Sequence, residues 1–127
     1  PLARLVQERT GVAVPSNKPI VGEALYQIES GIIASWFKNC GDKFATELFP
    51  IRWDLVGQKP AQVVMGKGSG IDSVNLWLQE AGMQVSEEDA LKITAAVKKR
   101  SLETKKLLTK DEFRDLAKRV LDESRAA

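Results

Sequence analysis

The sequence predicts a mostly α-helical fold, and the second half of the chain carries most of that prediction. Residues 109–112 (TKDE) form a capping-box sequence, after which apolar residues recur at intervals of three and four. A second capping box at residues 86–89 (SEED) predicts a helix that ends near Ser101. Before it, one apolar face over residues 71–81 predicts a helix that Gly82 ends.

The first twenty residues predict a short helix followed by an extended connection. Leu2, Leu5 and Val6 share one helix face. Gly11 can end this helix by adopting the left-handed conformation. Two prolines then hold residues 12–20 extended, because each proline fixes its own φ and disfavours the helical region for the residue before it.

An unusually apolar helix is predicted over residues 23–38. Its apolar residues cover most of the helix girth, so another surface must cover them. They are Ala24, Leu25, Ile28, Ile32, Ile33, Trp36 and Phe37. Glu29, Ser30 and Gly31 interrupt this pattern with a carboxylate, a hydroxyl and a helix-weakening glycine. Glu29 can pair with a nearby lysine or face a substrate pocket, and spacing alone favours neither.

Short irregular elements are predicted in the middle of the chain. Phe44, Leu48 and Phe49 predict a helical turn before Pro50, and residues 51–60 favour irregular structure. Trp53, Leu55 and Val56 are expected to anchor this irregular stretch in the core. The tryptophans at positions 36 and 77 also lie on apolar faces, so we predict all three as core residues rather than ligand-stacking ones.

A glycine-rich turn at residues 66–70 (GKGSG) follows a short extended run at residues 62–65, which can pair as a small strand. Ser69 or Asp72 is expected to cap the helix after the turn. Glycines at a helix start let backbone N–H groups approach an anion, so the turn is a candidate phosphate-binding loop. It lacks the spacing of a Walker loop, and a structural turn is the favoured interpretation.

Composition restricts the classes of function. A net charge of +2 is too small to predict nucleic acid or an anionic membrane as the main partner, and no apolar run could span a membrane. The basic cluster at residues 98–100 and 105–106 lacks interleaved aromatics and is interpreted as a solvated helix end. The absence of histidine excludes Ser–His and Cys–His pairs. The single cysteine, Cys40, excludes an intramolecular disulfide and is predicted to be inert.

Several blocks of this sequence together resemble the region that follows the catalytic barrel in 2-isopropylmalate synthases and homocitrate synthases. The order and approximate spacing of the blocks match over most of the chain. The blocks are LARLV at residues 2–6, TGVAVPSNKPIVGE at 10–23, ESGI at 29–32, LVG at 55–57 and VMGKGSG at 64–70.

The resemblance implies a fold and an activity. In this family, related to the metal-dependent HMG-CoA-lyase-like enzymes, a TIM barrel binds a divalent metal and a 2-oxoacid, and the acetyl group of acetyl-CoA is added to the ketone carbon. The barrel precedes the matching region, so we expect Mg, Mn or Zn in that missing barrel and no cofactor bound by this fragment. The chain would comprise linker subdomain I, residues 1–60, and helical linker subdomain II, residues 61–127. Alone, it is not expected to be catalytic.

The resemblance also implies partners. They are the chain's own N-terminal TIM barrel, a second protomer in a homodimer, and the acyl-CoA and 2-oxoacid of the full enzyme; nucleic acid and membrane are not expected. In the family this region mediates dimerisation and lids the partner protomer's active site. A cytoplasmic enzyme of amino-acid biosynthesis is implied. Because the chain begins at Pro1 rather than Met, we expect a processed product or a piece excised from a longer protein; if the end at Ala127 is natural, it resembles the shorter, homocitrate-synthase-like layout.

Matching the family motifs residue by residue gives the candidate site. The substrate-pocket candidates are Glu29, Ser30, Gly31, Ile28 and Ile33. The motif-turn candidates are Gly66, Lys67, Ser69 and Gly70. Glu29 and Ser30 are the two expected to face the pocket, whereas the turn is expected to be structural. No residue of this chain is predicted to bind a metal.

The sequence also departs from the family pattern. Two histidines that flank the Glu-Ser-Gly motif in the family are replaced by Ile28 and Ile33, and one in the turn is replaced by Gly68. A tyrosine between the motifs has no clear counterpart; Leu48 and Phe49 occupy its neighbourhood. Isoleucine cannot transfer protons, so the full enzyme would use a barrel residue or water, or its reaction differs. The alternatives are a related carbon–carbon lyase, a free-standing helical interaction or regulatory module, and, third, a phosphate or nucleotide binder at the glycine-rich turn.

Overall fold

The structure, a computed structural model, describes residues 2–126. It confirms the mostly α-helical prediction: helices dominate the described chain, and a small parallel sheet and two 3₁₀ turns lie between them. The helices are α1 (Leu2–Thr10), α2 (Gly31–Cys40), α3 (Ile71–Glu80), α4 (Glu87–Thr104) and α5 (Lys110–Ala126). The strands are β1 (Gln27–Ile28) and β2 (Gln62–Val63), and the 3₁₀ turns are Asp42–Glu47 and Trp53–Val56.

The predicted cap at Ser86 and the predicted capping box at Thr109 both form, although at Ser86 the Asp89 carboxylate accepts the serine hydroxyl instead of the backbone N–H. Ser86 Oγ accepts the N–H of Asp89 at 3.1 Å at the start of α4. At the start of α5, Thr109 Oγ1 accepts the N–H of Glu112 at 3.2 Å, and Glu112 Oε2 accepts the N–H of Thr109 at 2.8 Å. These bonds satisfy backbone donors that a helix start would otherwise leave unpaired. Helix α4 continues three residues past the predicted end, and Lys105 stops it in the left-handed conformation at φ 54°.

The main core lies between α3, α4 and α5. Trp77 is central to it: its indole N–H donates to the carbonyl of Val63 at 3.1 Å, and its ring meets that of Phe113 edge to face, with centroids 5.3 Å apart. Truncating a buried aromatic such as Phe113 to alanine costs about 3–5 kcal/mol, so this packing is a large share of the stability. The buried members are Met65, Val74, Trp77, Leu78, Ala90, Ile93, Val97, Leu108, Phe113 and Ala117.

The prediction of one helix over residues 23–38 is wrong for its first half. Residues 27 and 28 form β1 instead, and α2 begins only at Gly31. Strand β1 pairs in parallel with β2 in the register Gln27↔Gln62 and Ile28↔Val63. The pairing satisfies backbone groups that a helix would have paired locally, and it buries Ile28 against Val63 and Ala34. The extended run predicted at residues 62–65 does pair as a small strand.

A second, aromatic cluster fixes the middle of the chain. The rings of Tyr26, Phe49 and Trp53 lie with centroids 5.2–6.1 Å apart, and the Tyr26 hydroxyl donates to the carbonyl of Ile51 at 3.0 Å. Trp53 therefore anchors this region, as predicted. Leu55 does not, because its side chain is 77 % exposed on the outer side of the 3₁₀ turn.

The N-terminal helix forms where predicted but packs little. Gly11 follows α1 with φ 71°, and its N–H donates to the carbonyl of Gln7 at 2.9 Å, which ends the helix as expected. No residue of α1 is buried, and its apolar residues Leu2, Leu5 and Val6 are exposed. Across residues 2–126, no helix combines the length and apolar character needed to cross a membrane.

Candidate functional site

The two motifs singled out in the sequence meet in space. Glu29 follows β1 and is half-buried, and its Oε1 accepts the backbone N–H of Gly68 at 2.8 Å, across 39 residues of sequence. The parallel pairing of β1 with β2 brings the two motifs together, because both strands end at the same edge of the sheet. Glu29 thus holds the glycine-rich turn, rather than pairing with a lysine.

The glycine at position 66 makes room for this contact. A Cβ atom there would lie 2.5 Å from Glu29 Oε1 and 2.8 Å from Leu107 Cδ2, both far inside contact distance. At Gly68 the same carboxylate oxygen would lie 3.3 Å from a Cβ, a milder conflict. A side chain at position 66 would therefore displace the ends of two other side chains, one of them the carboxylate that holds the turn.

A second close approach joins the starts of two helices. A Cβ on Gly31, the first residue of α2, would lie 2.9 Å from the Cα of Gly70, which precedes α3. The obstacle is backbone, which cannot move aside as a flexible side chain can. The glycine in the Glu-Ser-Gly motif, which weakens a helix interior, is thus explained by its position at the helix start and by this contact.

Ser69 lies inside the turn and not at the helix cap. Its side chain is fully buried; its hydroxyl accepts the N–H of Gly66 at 2.9 Å and donates to the carbonyl of Val64 at 3.3 Å. The expectation that Ser69 or Asp72 caps α3 is wrong, because Gly70 occupies the cap position and no side chain bonds there. The turn's hydroxyl holds the loop closed instead.

The remaining candidates separate into buried and exposed groups. Ile28 packs in the core and Ile33 is partly buried. Ser30 is exposed at the cap position of α2, with backbone angles of φ −63° and ψ 129°, and its side chain makes no capping hydrogen bond. These extended angles are the reason the predicted helix cannot run through Ser30. Lys67 is exposed at the outer side of the turn.

An apolar stripe on α2 faces outwards. Ile32 is 67 % exposed and Trp36 is 55 % exposed, so the prediction of Trp36 as a core residue is wrong, whereas Trp53 and Trp77 are buried as expected. Ile32 and Trp36 lie four residues apart, one helical turn, on the same face. We call this pair the α2 stripe.

A cleft of about 500 Å³ opens beside Glu29. Three lysines line it: Lys67 from the turn and Lys105 and Lys106 from the loop after α4. An isolated antiparallel bridge between Met65 and Leu108 ties the two walls together, with the Leu108 N–H donating to the Met65 carbonyl at 2.8 Å. We call this the lysine cleft.

Comparison with known proteins shows which family the chain is related to. No protein-family model matches it. It is 34 % identical over 123 residues to a protein of Ignicoccus hospitalis named a probable 2-isopropylmalate synthase. It is 38 % identical over 122 residues to a 2-isopropylmalate synthase of Bacillus licheniformis and 33 % over 117 residues to homocitrate synthase 1 of Nostoc sp.. These matches cover 97 %, 96 % and 92 % of the chain. The chain belongs to the 2-isopropylmalate and homocitrate synthase family.

The chain accounts for only part of such a synthase. It spans 29 %, 22 % and 30 % of the length of these three relatives, and the matched part is their C-terminal region. Within residues 2–126, no group of three or more Cys, Asp and Glu side chains is arranged to hold a metal ion, and the sequence has no histidine.

Sequence reasoning identified both synthase motifs but missed how they are joined. The hydrogen bond from Gly68 to Glu29 depends on a strand pairing that local periodicity does not reveal. It also missed the lysine cleft, because Lys67 and the pair Lys105–Lys106 were assigned to separate features.

Proposed function

We propose that this chain is the post-barrel region of an enzyme that condenses an acyl-CoA with a 2-oxoacid. In this role it serves dimerisation and covers the active site of the partner protomer. The observation that carries the proposal is the hydrogen bond between Glu29 and Gly68, which unites the two synthase-like motifs in a single half-buried site. Homology over nearly the whole chain supports the family-level part of the proposal.

Two polar groups at this site are available to a substrate. Glu29 uses Oε1 for the turn, while its Oε2 has no hydrogen bond to any of the described residues. The Ser30 hydroxyl is exposed and free of a capping bond. A carboxylate and a hydroxyl on adjacent residues can orient a polar substrate by accepting and donating hydrogen bonds. In this proposal Glu29 and Ser30 position the substrate of the partner protomer.

Exposed apolar surface supports the proposed dimer. The α2 stripe begins two residues after Ser30, so a protomer that covers it would also approach the site. Large aromatic and aliphatic side chains such as these are typical anchors of protein interfaces. Covering the α2 stripe would remove Ile32 and Trp36 from water.

The activity is tested on the full-length enzyme. It is incubated with Mg²⁺ or Mn²⁺, acetyl-CoA and a panel of 2-oxoacids, and free CoA is followed as thiol release, with a control lacking oxoacid. We expect release that depends on one oxoacid. Glu29→Gln should lower kcat/KM by about tenfold or more, since it removes a charge from the site, whereas Glu123→Gln, an exposed residue of α5, should not. Absence of release with every oxoacid would contradict the acetyl-CoA synthase activity and favour a lyase or a different acyl donor.

Dimerisation is tested by sedimentation over a range of concentrations. The full-length enzyme should be a dimer, and Ile32→Ser with Trp36→Ser should shift it towards monomer. Leu91→Ser is the matched control, because Leu91 is similarly exposed on α4, away from the α2 stripe. A monomer at all concentrations, or an equal effect of Leu91→Ser, would contradict the proposed role of the α2 stripe and favour an interaction module with other partners.

A further inference from the structure

The lysine cleft has more basic than acidic residues in its lining. The lining residues include three lysines, Lys67, Lys105 and Lys106, and one acidic residue, Glu29, an excess of two formal positive charges. None of the ion pairs found in residues 2–126 involves these three lysines. Like charges gathered around one cavity repel each other, so a multivalent anion in the cleft would be stabilised.

The backbone that presents the lysines is held in place. Lys105 adopts the left-handed conformation at φ 54°, and the Lys106 carbonyl accepts the hydroxyl of the buried Ser101 at 2.9 Å. On the opposite wall, Lys67 belongs to the turn that Glu29 and Ser69 fix. The two loops that carry these lysines are therefore anchored, so ordering the lysines around a ligand requires fixing side chains only.

The cleft also has an apolar wall. Leu102 and Leu107 line it, and both are exposed although they are large aliphatic side chains. Leu107 packs over Gly66, which fixes its position beside Lys67. An anion that carries an organic group could rest that group against the two leucines.

We propose that the lysine cleft binds a small phosphate-bearing anion of the diphosphate class. A diphosphate carries two or more negative charges, which would balance the excess of two positive charges in the cleft. The donors are all lysines, which act as point charges for phosphate, and no arginine lines the cleft to hold a planar carboxylate bidentately. The assignment goes beyond the proposed lid and dimer functions and is tested on the chain alone, so its failure would leave them untouched.

The test is calorimetric titration of the 127-residue chain at low salt with inorganic pyrophosphate, ADP and citrate. Pyrophosphate should bind, and Lys105→Gln with Lys106→Gln should weaken it by about tenfold or more per lysine that contacts the anion. The control is Lys98→Gln with Lys99→Gln, which removes the same charge from exposed positions on α4 outside the cleft. An equal loss in both double variants would mean non-specific attraction and would overturn the site.

Glu29→Gln should change the affinity for pyrophosphate in the opposite direction to the lysine substitutions. Glutamine keeps an oxygen that can accept the Gly68 N–H but removes the one negative charge of the cleft, so pyrophosphate should bind more tightly. Weaker or unchanged binding in Glu29→Gln would contradict the assignment.

The ligands distinguish the source of the phosphate. Tighter binding of ADP than of pyrophosphate, reduced by Leu102→Ser, would identify a nucleotide-type ligand; equal binding would identify a free polyphosphate. Citrate binding as tight as pyrophosphate, or no binding of either phosphate, would overturn the diphosphate class.

Discussion

Gly31 and Gly70 lie so close that a single β-carbon on Gly31 would reach within 2.9 Å of the Cα of Gly70. The contact joins the starts of α2 and α3, next to the hydrogen bond between Glu29 and the glycine-rich turn. Two opposing effects on stability meet at Gly31, and their balance can be measured.

Gly31→Ala should destabilise the chain. Helix propensity alone would make alanine more stable by up to about 1 kcal/mol, whereas a clash with rigid backbone costs about 1–3 kcal/mol. We expect the clash to dominate, and urea denaturation measures the sign directly. Ser30→Ala, at the exposed neighbouring position, should stay within about 0.5 kcal/mol of the wild type. A stabilised Gly31→Ala variant would refute the close approach.

Gly66→Ala should also destabilise, but through a side chain. The added carbon would meet Glu29 Oε1 at 2.5 Å and displace the carboxylate from the Gly68 N–H. In a Glu29→Ala background the displaced group is absent, so the loss should be smaller by about 0.5–1.5 kcal/mol. Denaturation of the two single variants and the double variant gives this coupling energy. Strict additivity would mean that Glu29 does not hold the turn.

Trp77→Phe and Trp36→Phe should differ clearly. The first removes the indole N–H that donates to the buried Val63 carbonyl at 3.1 Å, and should cost about 1–3 kcal/mol. The second changes a side chain that is 55 % exposed and should cost less than about 0.5 kcal/mol in the monomer. Denaturation at low protein concentration compares them. Equal losses of unfolding free energy would contradict the finding that Trp77 is a core residue and Trp36 is not.

Ser73→Ala should be neutral or stabilising by up to about 1 kcal/mol. The Ser73 hydroxyl is buried, and no hydrogen-bond partner for it exists among the described residues, so removing it relieves a desolvated polar group. Ser101→Ala is the contrasting variant, because the Ser101 hydroxyl donates to the Lys106 carbonyl. We expect that variant to be destabilised by about 1 kcal/mol in thermal or urea unfolding. Destabilisation of Ser73→Ala would point to a partner such as a buried water molecule.

Acid should weaken the caps at the starts of α4 and α5. The Ser86 hydroxyl, followed by that of Ser124, lowers the pKa of Asp89, and the Thr109 backbone N–H, followed by its hydroxyl, lowers the pKa of Glu112. A pKa that is lower in the folded state stabilises the fold above the unfolded value, and the stabilisation is lost as the pH falls through the folded value. The ordinary values are 3.8 for Asp89 and 4.5 for Glu112, so the loss begins near them and continues below.

Thermal unfolding between pH 7 and pH 2 measures this effect. The melting temperature should fall over the acidic range, and Asp89→Asn with Glu112→Gln should flatten the dependence. Glu123→Gln, at an exposed position on α5, is the control. An unchanged slope in the double variant would show that the caps do not contribute to the acid sensitivity.

The C-terminal half was predictable because its signals are local. The capping boxes at Ser86 and Thr109 place both helix starts within four residues of sequence, and helical periodicity assigns Ile93, Val97 and Phe113 to one buried side. Hydrogen bonds and burial there follow from neighbours along the chain.

The first half was less predictable because distant contacts decide it. Ile28 fits a helical apolar pattern equally well, and only its pairing with Val63 makes it part of a strand. The same nonlocal pairing delivers Glu29 to Gly68, so the central contact of the candidate site had no local signature. Trp36 and Leu55 were predicted to lie in the core because they belong to apolar patterns. Such a pattern does not reveal whether another part of this chain covers the residue.

The bridge between Met65 and Leu108 links the lysine cleft to the global unfolding of the protein. Both residues are buried members of the main core, so the Leu108 N–H can exchange with solvent only when that core opens. The end of the loop that carries Lys105 and Lys106 should therefore open only when the whole core unfolds. In hydrogen exchange, Leu108 should be as slow as the centre of α4, an unusual property for a residue that lies between two helices.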